Sequence, residues 1–153
     1  MVEEMHNIYL NIAEEISKFS KCIQLKVGAI AVKDGRIIST GYNGTPKKFK
    51  NCNQYFDGEI PSREEHHAFS EKYEIHAEQN MILFASRAEN SLENCDIYVT
   101  HQPCSTCLKL LCNTGINNIY YRYKYDKNDY TKETHEMLDT CKINLIQVGR
   151  DEF

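Results

Sequence analysis

A chain of 153 residues, 41% apolar and 26% charged, is long enough to bury a core and too evenly mixed to be disordered. No apolar run reaches the roughly 20 residues a membrane-spanning helix needs, and the acidic start Met1-Val2-Glu3-Glu4 lacks a secretory signal's basic and apolar regions, so one cytoplasmic domain over 1–153 is expected. The formal net charge of -4, with lysines clustered only at Lys47, Lys48 and Lys50, speaks against a nucleic-acid polymer as partner and favours a small anionic ligand such as a mononucleotide.

Ile8, Ile12, Ile16 and Phe19 recur at helical spacing, which predicts a helix over 5–19. Residues 27–32 and 36–42 are two strand-like runs joined by Asp34-Gly35, a β-hairpin signal. From 43 to about 72 the pattern dissolves. Gly44, Pro46, Gly58 and Pro61 punctuate a polar stretch that reads as a long loop, and its cysteine and histidines suggest that it is pinned. Ala77, Met81, Leu83, Phe84 and Ala88 predict a helix over 76–88. Ile97-Tyr98-Val99 reads as a buried strand, 105–113 as a helix opening just after Pro103, and 116–121 as a strand beyond the Thr114-Gly115 stop. A helix over 131–140 and a strand over 143–148 follow. The order α-β-β-α-β-α-β-α-β predicts an α/β fold whose later strands pair in parallel through crossovers. Tyr120, Tyr121, Tyr123, Tyr125 and Tyr130 read as alternating core and surface positions rather than a base-stacking platform.

Seven cysteines without a secretion signal point to metal binding or buried thiols rather than to disulfides. Cys95, Cys112 and Cys141 have no partner spacing and read as small buried hydrophobes. His76-Ala77-Glu78 followed by Pro103-Cys104-Ser105-Thr106-Cys107 is different. One imidazole and two thiolates can hold a zinc ion and leave its fourth position to water. Glu78, two residues after the histidine, can reach that water and move its proton. Each half is weak alone, since Cys-x-x-Cys also serves redox pairs and structural zinc. Together, each at a helix start where unpaired N–H groups favour thiolates, they form the zinc-deaminase pattern for a cytosine or adenine ring.

These motifs resemble the cytidine deaminase-like superfamily, and within it the phage-type deoxycytidylate (dCMP) deaminases. The likeness also runs through Lys26-Val27-Gly28-Ala29, Gly41-Tyr42-Asn43-Gly44-Thr45-Pro46, Glu74-Ile75 and Tyr125-Asp126-Lys127. It implies a three-layer cytidine deaminase-like fold, a mixed five-stranded sheet flanked by helices. It also implies hydrolysis of dCMP to dUMP and ammonia, supplying dUMP for thymidylate synthesis. In this reading His76, Cys104 and Cys107 hold the catalytic zinc, Glu78 shuttles the proton, and the Ala77 N–H holds the pyrimidine carbonyl.

The resemblance further implies a second, structural zinc on Cys22, Cys52, His66 and Glu74, with His67 as the alternative histidine. Asn43 and Thr45 would contact the nucleotide, and Lys26 and Tyr125 are candidates for its phosphate or base region. Gly41, Tyr42, Asn43 and Gly44 would link substrate and effector pockets in a homo-oligomer, a hexamer in this family, activated by dCTP and inhibited by dTTP, with Mg2+ accompanying the triphosphate. The Gly-Tyr-Asn-Gly segment separates this branch from deaminases of nucleosides and of nucleic acids. A zinc-stabilised interaction module without catalysis would have no use for Glu78.

Overall fold

The structure is a computed structural model that describes residues 2–125 and 129–149. Asp34 and Gly35 both take positive φ, 52° and 73°, as a two-residue turn that follows the strand twist requires. They join β1 (Gly28–Lys33) and β2 (Arg36–Tyr42) as an antiparallel hairpin with a bulge where the register shifts after Ala31. β3 (Asp96–His101) pairs antiparallel with β1, and β4 (Asn118–Tyr123) and β5 (Asn144–Gln147) then add in parallel. The sheet order is β2-β1-β3-β4-β5, a mixed five-stranded sheet of the expected class.

Both faces of the sheet are covered. α1 (Val2–Ser17) lays Leu10 and Ala13 against Ile30, Tyr98 and Tyr120 on one face. Ile8 and Phe19, which helped to predict this helix, are exposed, and His6 joins the buried stripe instead. His6 is accommodated because its Nδ1 hydrogen-bonds the Tyr98 hydroxyl at 2.7 Å and its ring stacks on Tyr120. α1 also crosses very close to the sheet: a Cβ on Gly28 would lie 2.0 Å from the Ala13 carbonyl oxygen.

The region 43–72, expected to be a loop, contains two helices, α2 (Cys52–Tyr55) and α3 (Arg63–Tyr73). α3 begins at a capping box in which Ser62 accepts the Glu65 N–H at 3.1 Å. It buries Phe69 with Cys22 and Cys52 in a small cluster apart from the main core. So few apolar residues, set in a polar segment, leave little periodic signal to read.

On the opposite face of the sheet lie α4 (Ala77–Arg87), α5 (Ser105–Leu111) and α6 (Lys132–Thr140). Met81, Ala85, Leu108, Leu111 and Leu138 pack there against the outward side chains of β1, β3 and β4. β3 runs straight into α5 at the point where strand pairing changes from antiparallel to parallel. Crevices at the carboxyl ends of strands beside such a switch are where α/β sheets hold ligands. No described helix is long and apolar enough to cross a membrane.

Candidate metal centre and ligand cavity

His76 and Cys104 occupy equivalent places, each the N-cap of a helix with extended backbone, φ/ψ of -68°/155° and -71°/165°. Gln79 accepts the His76 N–H at 2.9 Å, and the Cys104 sulfur accepts the Cys107 N–H at 3.5 Å. One helical turn therefore brings Cys107 back beside Cys104, and the packing of α4 against α5 brings His76 to both. His76 Nδ1 lies 3.5 Å from Cys104 Sγ and 3.3 Å from Cys107 Sγ. A tetrahedral zinc with Zn–S about 2.3 Å and Zn–N about 2.0–2.1 Å sets nitrogen and sulfur ligands roughly 3.5 Å apart. The donor set and spacing fit that ion, and all seven cysteines are free thiols.

The two thiols of the triad are pushed in opposite directions. The Cys107 side chain hydrogen-bonds Cys104 and, with His76, draws the Cys104 thiol down to about 4. Cys107 is pushed the other way, by its bond to the Cys104 thiolate, by burial and by the nearby Glu78 charge. The bond to Cys104 likewise raises His76. The pair thus holds one proton that a dication would displace. Glu78, 4% exposed in the first turn of α4, has its carboxyl raised by burial and shares a side-chain hydrogen bond with Cys107.

His76, Glu78 and Cys104 line a cavity of about 280 Å³, together with residues that include Asn43, Ala77 and Tyr125. Asn43 is already engaged: its Oδ1 accepts the Val27 N–H and its Nδ2 donates to the Leu25 carbonyl, both at 2.8 Å. One amide hydrogen and one lone pair remain for a ligand. Lys26 and Thr45 do not line the cavity, and the Thr45 hydroxyl faces Asn51 Oδ1 at 3.3 Å. Gly41 lies under α4, where a Cβ would come 2.3 Å from the Ala77 carbonyl oxygen. The Tyr42 carbonyl accepts from Asn80, and Gly44 pairs with Ile75 through two backbone hydrogen bonds. The whole Gly-Tyr-Asn-Gly segment is thereby stitched to the start of the helix that carries His76 and Glu78.

A second cluster borders the same cavity. Cys22 Sγ lies 3.4 Å from His66 Nε2 and 3.7 Å from Glu74 Oε1, and those two are 3.7 Å from each other. Cys52 completes the group, with all ligand atoms within 4.8 Å. Burial pushes the Cys22 thiol up to about 12 and raises Cys52 as well. Of the two candidate histidines, His66 faces this cluster, whereas His67 is exposed and pairs with Glu71 at 3.3 Å.

Residues that the sequence reading passed over also shape the cavity. His101 and Gln102 line it. They sit between a buried strand and Pro103-Cys104, and position 101 shares the face of Ile97 and Val99, so alternation alone could have found His101. Burial lowers its imidazole, and Nδ1 bonds the Thr100 hydroxyl at 2.8 Å. Arg63 lines the cavity from α3, with no motif to announce it. Asp129 accepts the Ser105 N–H at 2.9 Å and the Ser105 hydroxyl, and the Tyr130 hydroxyl donates to the Pro103 carbonyl at 2.5 Å. Together they fasten residues 129 and 130 to the start of α5. Asp126 and Lys127 of the Tyr-Asp-Lys segment lie outside the described residues.

Residues 3–123 match the family described as the cytidine and deoxycytidylate deaminase zinc-binding region. The deoxycytidylate deaminases of Enterobacteria phages T2 and T4 are each 39% identical to the chain, which they match over 78% of its length and over 80% and 78% of their own. The crystal structure of the dCMP deaminase from cyanophage S-TIM5 in complex with dCMP and dUMP superposes with a TM-score of 0.74 at 31% identity, covering 94% of this chain and 96% of that one.

Proposed function

The chain belongs to the cytidine and deoxycytidylate deaminase family, and from that premise we propose that it hydrolyses dCMP to dUMP and ammonia. The observation that carries the proposal is the meeting of His76, Cys104 and Cys107 with the buried carboxyl of Glu78 in one ligand-sized cavity. The zinc that this triad would hold supplies a Lewis acid that brings the pKa of water close to neutrality. Glu78 takes the proton that water gives up and delivers it to ring N3 as oxygen adds to C4. It then takes the proton of the new C4 hydroxyl and passes it to the amino group, so that the C4 carbonyl forms as the C4–N bond breaks and ammonia leaves. A carboxyl held dry, with its proton affinity raised, suits this exchange better than an exposed one. The N–H of Ala77, a residue that lines the cavity from the first turn of α4, would hold the pyrimidine carbonyl.

The same reading makes Cys22, Cys52, His66 and Glu74 a closed, structural zinc site without an open position. It further takes the protein as a cytoplasmic homo-oligomer, a hexamer, supplying dUMP for thymidylate synthesis. Its activation by dCTP and inhibition by dTTP, with Mg2+ on the triphosphate, would act through Gly41, Tyr42, Asn43 and Gly44. The net charge of -4 favours a mononucleotide over a polymeric substrate.

Ammonia release by the zinc-loaded protein, measured across cytidine, deoxycytidine, CMP, dCMP and dCTP with and without dTTP, tests the proposal. Turnover is expected with dCMP, sigmoidal in dCMP and hyperbolic once dCTP is added. Release from cytidine in preference to dCMP would reject the substrate, and indifference to both triphosphates would reject the regulation.

A further inference from the structure

We infer that Arg63 binds the 5′-phosphate of the substrate and so sets the preference for a nucleotide over a nucleoside; the inference rests on the deaminase reading above. Arg63, His66, His67 and Ser70 of α3, and Glu74 just beyond it, border the cavity at helical steps of three and four. His66, one turn into the helix, and Glu74, just past its C-terminal end, are committed to the buried Cys22 cluster. Arg63, at the other end of the helix, is exposed and is the only lysine or arginine that lines the cavity among the described residues. Its guanidinium makes no ion pair with a described carboxylate.

The two carboxylates of the lining, Glu74 and Glu78, are turned into the metal clusters, so neither neutralises Arg63. A phosphate monoester brings close to two negative charges, and a chain of net charge -4 attracts it only where cation is concentrated locally. Guanidinium matches the phosphate oxygens two at a time, which an ammonium does not. His67, the neighbouring group on the helix, is already engaged with Glu71. Nothing in the lining offers the sugar-phosphate end of a nucleotide a comparable charge.

The experiment compares wild type with R63Q and R63K as zinc-loaded full-length protein, without triphosphate. It measures kcat and KM for dCMP and calorimetric binding of dUMP, with zinc content as the control for folding. R63Q is expected to raise both KM for dCMP and Kd for dUMP by about tenfold or more, with kcat within about twofold. R63K is expected to recover part of the loss, as a point charge without the fork. Unchanged KM and Kd in R63Q, a fall in kcat alone, or a loss of zinc would overturn the role. So would an effect confined to activation by dCTP, which would place Arg63 at an effector site. Wild type that releases no ammonia from dCMP, yet binds dUMP through Arg63, would reject the reaction and leave the phosphate contact standing. Wild type that binds no dUMP would reject both.

Discussion

In the proposed reaction Glu78 is the residue on which the chemistry turns. Its carboxyl is almost wholly removed from water, and that desolvation raises its affinity for a proton. The effect opposes the positive end of α4, in whose first turn the residue sits and which favours the charged form. A group balanced between these influences can both accept and return a proton, whereas an exposed glutamate near its ordinary value gives one up too readily. Glu78→Gln keeps the shape and the hydrogen-bonding amide but cannot shuttle. It is expected to lower kcat by at least about 10²-fold while zinc content stays at the wild-type level, because no metal-ligating atom is altered. Wild-type-like turnover in the variant would remove Glu78 from the mechanism. The cysteines beside it carry a different message: their sulfurs stand 3.5 and 3.3 Å from His76 Nδ1, the spacing that a zinc ion requires of its ligands.

Among the elements, α4 and α5 matter because their N-caps and first turns carry the four side chains proposed to ligate or react, His76, Glu78, Cys104 and Cys107. Both starts are held from outside. Asp129 and Tyr130 hold α5 through Ser105 and Pro103. The Gly41–Gly44 segment holds α4 through Ala77, Asn80 and Ile75. Gly41 shows how tight the fit is, since an added Cβ would stand 2.4 Å from the Met81 nitrogen as well as against Ala77. Backbone cannot yield as a flexible side chain does, so Gly41→Ala must lift α4 from the sheet. A loss of about 1–3 kcal/mol in stability is expected, with weaker zinc binding at the His76 triad, measured by denaturant titration and metal competition. Retention of wild-type stability and zinc affinity would show that the close approach is dispensable. The segment's turn-forming residues are legible in the sequence, but turn propensity alone cannot say that Gly41 serves a helix lying across it. α3 is the reverse case. Its capping box, Ser62 to Glu65, stood in the sequence, yet the polar stretch after it concealed a helix that buries only one face against a small satellite cluster.

Taken whole, the molecule is a core sheet with a separately organised flap. Residues 43–74 leave the edge strand β2 and run to the start of α4 with little apolar surface of their own beyond Phe69 and its neighbours. Cys52, His66 and Glu74 on this excursion converge with Cys22, which precedes β1, and a metal there would fasten the excursion to the rest of the molecule. Two zinc ions per chain are expected by metal analysis. His66→Ala should reduce the number to one and lower Tm, while His67→Ala should change neither, because His67 faces solvent. A single zinc in active wild-type protein would exclude the second ion. By itself the sequence determined the alternation of strands and helices, the Asp-Gly hairpin and the His-x-Glu and Pro-Cys-x-x-Cys motifs, since each is written in spacings of one to four residues that local backbone geometry converts directly into structure. Only the tertiary structure decided that His66 rather than His67 meets Cys22, that His6 rather than Ile8 lies buried under α1, and that Arg63 borders the cavity while Lys26 does not. Those outcomes depend on how elements far apart in the chain pack together, and no local pattern encodes the angle at which a helix comes to rest on its neighbours.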